Sequence, residues 1–333
     1  MSDTALGTPP ADVAPALERP TLGQILRHYG AAFRRQFAGR LSREQLRVMD
    51  LLERCRTGEL GAVLYRCQAC GTTHVQPQSC GNRHCPRCQG HKAQQWLEQQ
   101  LARRLPCAYF LITFTVPQAL RPFIRGQPRE AYRAMFAAAL ATLRKLAQNP
   151  RHVGSRRVGG TGVLHTWGRT LCYHPHLHFL VPGGALSEDG QQWLPSRADF
   201  FVPVHAASRR FRDLLLERLT AAGLTDDVRQ QVAAIDWVVH CQPVGDGRRA
   251  LRYLAPYVYR VAISNRRLLK CEPGPDGLGR VTFSYRRKGA RRWRPMTVTA
   301  SEFLRRFLQH VLPRGFQKVR HFGFVHPRHR ADR

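Results

Sequence analysis

Acidic residues are scarce in this chain of 333: 22 Asp and Glu stand against 53 Lys and Arg, a formal charge of +31. With 43% hydrophobic residues the chain can still bury a core, so the imbalance argues for a folded protein that meets a polyanion. Lysine is scarce within the basic set, at Lys92, Lys145, Lys270, Lys288 and Lys318; the remainder is arginine. Arginine grips phosphate bidentately and stacks on bases, which suits nucleic acid. A GC-rich genome would give the same preference, but not the net charge. Apolar runs of roughly 18 residues are lacking, which excludes a membrane-spanning helix. The first twenty residues hold acids and prolines and lack a basic start before an apolar core, which excludes a secretion signal. Residues 1–20 read instead as a disordered Ala/Pro tail, and a cytoplasmic location is expected.

Ten cysteines are present, and five of them (Cys67, Cys70, Cys80, Cys85 and Cys88) crowd into 22 positions. Without an export signal, that clustering points to metal and away from disulfides. Cys67-x-x-Cys70 and Cys85-x-x-Cys88 are two knuckles, each offering two thiolates from a tight turn, and together they predict a closed four-cysteine zinc shell. Such a shell has no open position and is structural. Cys80, His84, His74 and Cys55 remain over; they could exchange into the shell, Cys80 and His84 foremost, or form a second site, although packing or hydrogen bonding is the simpler expectation. Arg83, Arg87 and Lys92 lie around the cluster, as expected of a small basic module that grips DNA or a partner.

Helices are predicted over 21–38 and 42–55, the second opened by a Ser42-x-x-Gln45 capping box, and again over 91–105. From residue 108 the period changes. Residues 108–116 (AYFLITFTV) read as a buried strand, 128–148 as a helix, and 161–168 and 176–182 as strands. A helix near 205–223, strands near 235–241, 260–270 and 280–287, and a helix at 301–312 follow. Strands and helices mix without regular βαβ alternation, so the expected class is α+β with a largely antiparallel sheet. The expected domains are a zinc-binding unit over 21–105, a second domain over 106–325 and a basic tail over 326–333.

Two further segments carry chemistry. Residues 173–181 read YHPHLHFLV. Alternation along a strand puts His176 and His178 on one face, where two imidazoles can hold a divalent ion and leave positions for phosphate oxygens and water. His174, disturbed by Pro175, and His165 on the preceding strand are candidates for an extra ligand or an orienting group. Residues 250–260 read ALRYLAPYVYR. On a helix Tyr253 and Tyr257 share a face at i and i+4, with Arg252 and Arg260 flanking them, and a phenol beside a metal-bound phosphodiester can attack phosphorus. Taken alone the tyrosines fit packing at a helix surface better, and Pro256 would kink such a helix.

In combination, the cysteine unit (CQACGTTH…SCGNRHCPRCQ), FLITFTVP, HPHLHFLVPGG and YLAPYVYRVAISNRRL resemble the rolling-circle insertion-sequence transposases of the two-tyrosine HUH (His-hydrophobe-His) class, which carry an N-terminal transposase zinc-binding domain. The similarity covers about residues 20–325, and the ending HVLPRGFQKVRHFGF also resembles that family. The resemblance implies an HUH-type palm with the histidines on a central strand and the tyrosines on a nearby helix. It further implies His176 and His178 as ligands of catalytic Mg2+ or Mn2+, Tyr253 and Tyr257 as paired nucleophiles, and single-stranded DNA as substrate, joined through 5′-phosphotyrosine links. Arg266 and Arg267 join Arg83, Arg87, Arg252 and Arg260 as candidate DNA-binding residues. A replication initiator or relaxase would use the same chemistry for another purpose. A noncatalytic zinc-ribbon DNA-binding regulator would leave histidines and tyrosines structural, and an RNA-binding ribosome-associated protein would leave the histidine strand unused.

Overall fold

The computed structural model describes residues 16–259, 262–274, 278–287 and 289–329. In chain order the elements begin with β1 (Leu17–Glu18), α1 (Leu22–Gln36), α2 (Arg43–Glu53), β2 (Ala62–Arg66), β3 (Thr73–Pro77) and α3 (Gly90–Ala102). There follow β4 (Tyr109–Thr115), α4 (Arg121–Gly126), α5 (Pro128–Ala147), β5 (Gly160–Trp167), β6 (Tyr173–Pro182), β7 (Gly184–Leu186) and β8 (Trp193–Pro195). The chain continues through α6 (Val204–Ala221), α7 (Asp226–Ala233), β9 (Val239–Pro243) and α8 (Arg248–Tyr259). It ends with β10 (Leu268–Pro273), β11 (Gly279–Tyr285), β12 (Arg294–Thr299), α9 (Ala300–Leu308) and β13 (Val319–Phe322). Every strand pairing between these elements is antiparallel, in keeping with the mixed α+β class expected from the sequence.

Two compact units emerge, one from Met1–Cys88 with Ile263–Leu308 and the other from Gln89–Ala262 with Gln309–Arg333. The boundaries differ from the linear division at residue 105 for two physical reasons. Helix α3 buries Ala93 and Trp96, and Trp96 shares an apolar cluster with Leu251 and Leu254 of α8 in the second unit. The segment from β10 to α9 returns to the first unit, where β1 pairs Leu17 with Cys271 and Glu18 with Lys270. Leu17 and Glu18 are therefore ordered strand, not part of a disordered tail; residues 1–15 lie outside the described residues.

In the first unit the helix starts follow local chemistry. Thr21 and Ser42 both form capping boxes: Gln24 N–H donates to Thr21 Oγ1 (3.3 Å) and Thr21 N–H donates to Gln24 Oε1 (2.8 Å), a pattern Ser42 and Gln45 repeat. Each box satisfies two backbone donors that a helix start would otherwise strand. Residues 235–241, read as a strand, become one at Val239–Pro243, after a loop in which Trp237 donates its indole N–H to Val232 O.

The second unit is a five-stranded sheet in the order β13-β5-β6-β4-β9. One face packs α5 and α6 through Phe110, Phe114, Leu177, Phe179 and Phe211. The other carries α3 and α8 over Leu111, Val163 and Leu180. Strand β6 sits at the centre because its core-facing residues are apolar and its other face holds the histidines. At Gly162 the backbone passes so close to Phe136 and Phe179 that an added Cβ would meet both rings at 3.0 Å. Tyr132 and Tyr173 hydroxyls hydrogen-bond at 2.7 Å and tie α5 to β6. The β5–β6 turn is held by buried His310, which accepts from the Thr166 hydroxyl (3.2 Å) and donates to Leu171 O (3.0 Å).

Overpacking a filled core costs about 1–3 kcal/mol. Gly162→Val is therefore expected to lower unfolding stability by about that amount, measured by the shift in denaturant midpoint; an unchanged midpoint would contradict the packing described for β5.

Candidate functional site

The first unit holds four cysteines together, and they are not the four the knuckle spacing suggested. Cys55, Cys80, Cys85 and Cys88 place their sulfurs within 4.8 Å of one another. Cys55 Sγ lies 3.5 Å from Cys88 Sγ and 3.7 Å from Cys85 Sγ, and Cys80 Sγ lies 3.7 Å from Cys88 Sγ. A tetrahedral zinc with bonds of about 2.3 Å separates its sulfurs by about 3.8 Å, so the thiols fit that ion. Hydrogen bonding from Cys80 and Cys85 holds the Cys88 thiol well below its ordinary pKa.

Cys67 and Cys70, expected in this shell, stand apart from it. Strands β2 and β3 form a hairpin whose register ends at Arg66 opposite Thr73, so Cys67-x-x-Cys70 occupies its exposed tip. There Cys67 N–H donates to Thr72 O (2.8 Å) and Gly71 N–H to Cys67 O (2.9 Å). Their places are filled by Cys55, two residues beyond the end of α2, and by Cys80, the exchange into the shell that the sequence left open beside the simpler expectation of packing. His84 is buried with Nδ1 2.9 Å from Asn82 Oδ1 and also lies outside the cluster.

The second unit builds its site on β5 and β6. The register sets His165 directly opposite His176 and Val163 opposite His178. Alternation then brings all three imidazoles to one face, with their ligating nitrogens within 4.8 Å of one another. His174, the other candidate, falls outside this group: its Nδ1 contacts Arg121 Nη2 at 2.7 Å. His176 Nδ1 donates to His174 O (2.7 Å), which fixes its tautomer and leaves the lone pair on Nε2. His165 Nδ1 then donates to that atom at 3.0 Å. His178 Nδ1 bonds Thr113 Oγ1 at 2.9 Å, from the neighbouring strand β4.

The Nε2 atoms of His165 and His178 are buried with no hydrogen-bond partner. A stranded buried polar atom costs about 1–3 kcal/mol, and a bound cation would relieve it. Burial lowers the pKa of His176 to about 3 and of His178 to about 4, and pushes His165 well down as well. All three are thus neutral at pH 7 with lone pairs available. The donor set, three nitrogens without thiolate, suits a divalent ion that keeps positions for oxygen ligands.

Helix α8 covers this face, its Leu254, Ala255 and Val258 buried against the sheet. It runs through Pro256 without ending, the apolar stripe holding it down where one hydrogen bond is missing. Tyr253 and Tyr257 share a face with ring centroids 5.1 Å apart. The Tyr257 ring is 4.5 Å from that of His165, and the Tyr253 ring 6.0 Å from that of His178. Burial, with Tyr257 beside it, pushes the Tyr253 phenol up to about 12, while Arg169 pulls it down. A cavity of about 700 Å³ opens alongside, lined by Thr113, His178, Arg249 and Tyr253 among others. Tyr259 turns away from the pair and packs on the apolar cluster.

Of the arginines singled out as DNA contacts, Arg87, Arg252 and Arg266 are exposed and Arg83 is half-buried. Arg267 donates Nε–H to Ser284 O (2.8 Å) and lies 5.9 Å from the Trp293 ring centroid. Arg260 lies outside the described residues. No helix among the described residues is long and apolar enough to cross a membrane.

A three-histidine centre faced by paired tyrosines, in a strongly basic chain that also carries a four-cysteine cluster, defines a metal-binding protein of nucleic-acid chemistry. Residues 159–333 match a family described as "Putative transposase", and residues 25–116 match the "Transposase zinc-binding domain". A transposase-like protein of Sinorhizobium fredii is 40% identical, the alignment covering 94% of this chain and 82% of that one. A "transposase for insertion sequence element IS801" of Pseudomonas savastanoi pv. phaseolicola is 28% identical over 81% of this chain and 68% of its own. No solved structure matches the chain. The chain belongs to the IS91/IS801 family of transposases and carries that family's zinc-binding domain.

Structural zinc binding is coupled to folding. Cys55→Ser and Cys80→Ser should each release zinc from the full chain and lower its melting temperature, read by elemental analysis and thermal unfolding. Retention of a full zinc complement in both variants would contradict the cluster as its site.

Proposed function

We propose that this transposase nicks and rejoins single-stranded DNA through phosphotyrosine intermediates, as a two-tyrosine HUH nuclease acting in rolling-circle transposition. The observation that carries the reading is the approach of Tyr257 to His165 and of Tyr253 to His178 on one face of α8. The five-stranded sheet is the palm in this reading. His165, His176 and His178 would hold the catalytic Mg2+ or Mn2+, and the cysteine cluster the structural Zn2+. When bound, the divalent ion supplies Lewis-acid polarisation of the scissile phosphate.

The chain's own residues do the rest. Thr113 and the His174 carbonyl orient His178 and His176 through their Nδ1 atoms, so that Nε2 faces the site. One tyrosine oxygen attacks phosphorus; the Tyr–O–P bond forms as the bond from phosphorus to the 3′ oxygen breaks. The phenolic proton leaves to water at the exposed side of Tyr253, and the departing 3′ oxygen takes one up. Arg169, which opposes the rise in the Tyr253 pKa, favours the phenolate and offers charge to the developing transition state. The link conserves the energy of the broken bond, so a 3′ hydroxyl attacking the phosphotyrosine rejoins DNA without nucleotide hydrolysis. Two tyrosines within one helical turn suit two successive cleavages, one at the element and one at its target.

The test uses the full chain, Mn2+ and labelled single strands from the DNA flanking the gene, resolved on denaturing gels. A 5′-linked adduct is expected in wild type, reduced in Tyr253→Phe and in Tyr257→Phe and falling to background in the double variant and in His176→Ala. An adduct that persists in the double variant would overturn the nucleophile assignment. Tight, salt-sensitive binding with no adduct would favour a noncatalytic zinc-ribbon protein.

A further inference from the structure

A second cavity of about 700 Å³ lies in the same unit, at the end of the sheet remote from the histidines. Its walls come from the loop before β5, the β7–β8 hairpin, α5 and the residues after β13. Three arginines line it, Arg144, Arg156 and Arg157, with Trp193 and Phe324. We propose that this cavity binds an unpaired nucleotide of the DNA strand, its base against the two rings and its phosphate on the arginines. The proposal rests on DNA being the substrate, and assigns a recognition site that the nicking chemistry does not use.

The aromatic walls are seated on glycines. Trp193 lies flush against Gly184, where an added Cβ would come within 2.5 Å of its Cζ2 atom, and Phe324 covers Gly159 at 2.9 Å by the same measure. Both rings keep part of their surface open, and they meet edge to face with centroids 5.6 Å apart. A pair of half-exposed rings fixed in this way offers a platform on which a base can stack, and stacking is sequence-tolerant because every base has a π-face.

The charge is equally placed. Arg157 donates from Nη1 to Glu188 O (2.8 Å), and its guanidinium lies over Gly190, where a Cβ would be 2.8 Å from Nη1. Gly190 has φ +82°, so both backbone and space favour glycine there. Arg156 pairs with Glu188 at 3.3 Å, and both groups are exposed. Two carboxylates, Glu188 and Asp189, against three guanidiniums leave the rim positive, and guanidinium is the side chain best matched to phosphate. A volume of this size lies within the range of small-ligand sites, about 300–1,000 Å³.

The position gives the cavity its role. Gly184, under Trp193, is six residues beyond His178, past the end of β6, which at a strand rise of about 3.3 Å per residue puts it at most roughly 20 Å away. A nucleotide held there is several positions from the scissile phosphate. The site would therefore hold the strand in register for cleavage without touching the reacting atoms.

The experiment measures anisotropy of the same labelled single strands on the zinc-loaded full chain, across a salt series. Stacking on an aromatic side chain is worth about 1–3 kcal/mol per base, so Trp193→Ala is expected to weaken binding roughly five- to 150-fold, and Trp193→Phe to restore most of it. Arg144→Ser, a change at an exposed position, should reduce the logarithmic salt slope by about 0.7, the amount that one phosphate of a single strand contributes. Unchanged affinity in Trp193→Ala together with an unchanged slope in Arg144→Ser would overturn the proposal. Adduct formation is scored separately, on the wild-type chain. Absence of the adduct in wild type sinks the nicking chemistry alone, whereas absence of the affinity difference sinks this cavity alone.

Discussion

The pairing of β5 with β6 is the constraint on which the functional face depends. With His165 opposite His176, the side-chain period of two brings His165, His176 and His178 to one surface. A slip of one residue would turn His165 into the core and place Leu164 among the imidazoles. The opposite face forbids that slip: Leu164, Leu177 and Phe179 are buried there, and Gly162 admits the rings of Phe136 and Phe179. The apolar layer thus sets the register, and the register sets the metal-ligand geometry. His310, bonded to Thr166 and Leu171, holds the end of the same hairpin.

Helix α8 responds to the same sheet. Its apolar stripe lies on Leu111, Val163 and Leu180, and this fixes the helix rotation that brings Tyr253 and Tyr257 over the histidines. Pro256 sits inside the helix at the level of the tyrosines, where it removes one backbone hydrogen bond. Burial of Leu254, Ala255 and Val258 offsets that loss. The zinc cluster performs a comparable service in the first unit, where the hairpin of β2 and β3 is almost wholly exposed and offers little apolar burial. Four thiols joining the end of α2 to the loop before α3 close that region instead.

Much of this was legible in the sequence because it rests on short-range periodicity. The Ser42 capping box, the buried strand at β4 and the helix α5 follow from local pattern, as does the shared face of His176 and His178. The i, i+4 spacing of Tyr253 and Tyr257 is local too. What long-range pairing decides was not legible. Nothing in the chain near His165 says that it, and not His174, faces His176; the deciding fact is the β5–β6 register. The cysteines show the same limit. Two CxxC knuckles look like one shell, yet the hairpin carries Cys67 and Cys70 out to its tip. Cys55, twelve residues upstream of the first knuckle, comes back to Cys85 and Cys88 through the end of α2. The return of β10–α9 to the first unit is likewise set by tertiary pairing with β1 and is invisible to a linear reading.

The central claim is that the three imidazoles brought together by this register form one divalent-metal site. Anomalous diffraction from crystals of the full chain grown with Mn2+ tests it most directly. A manganese peak bonded by His165, His176 and His178, beneath Tyr253 and Tyr257, is the result the account predicts. A manganese ion held elsewhere, with His165 still bonded to His176 in the same crystals, would contradict it.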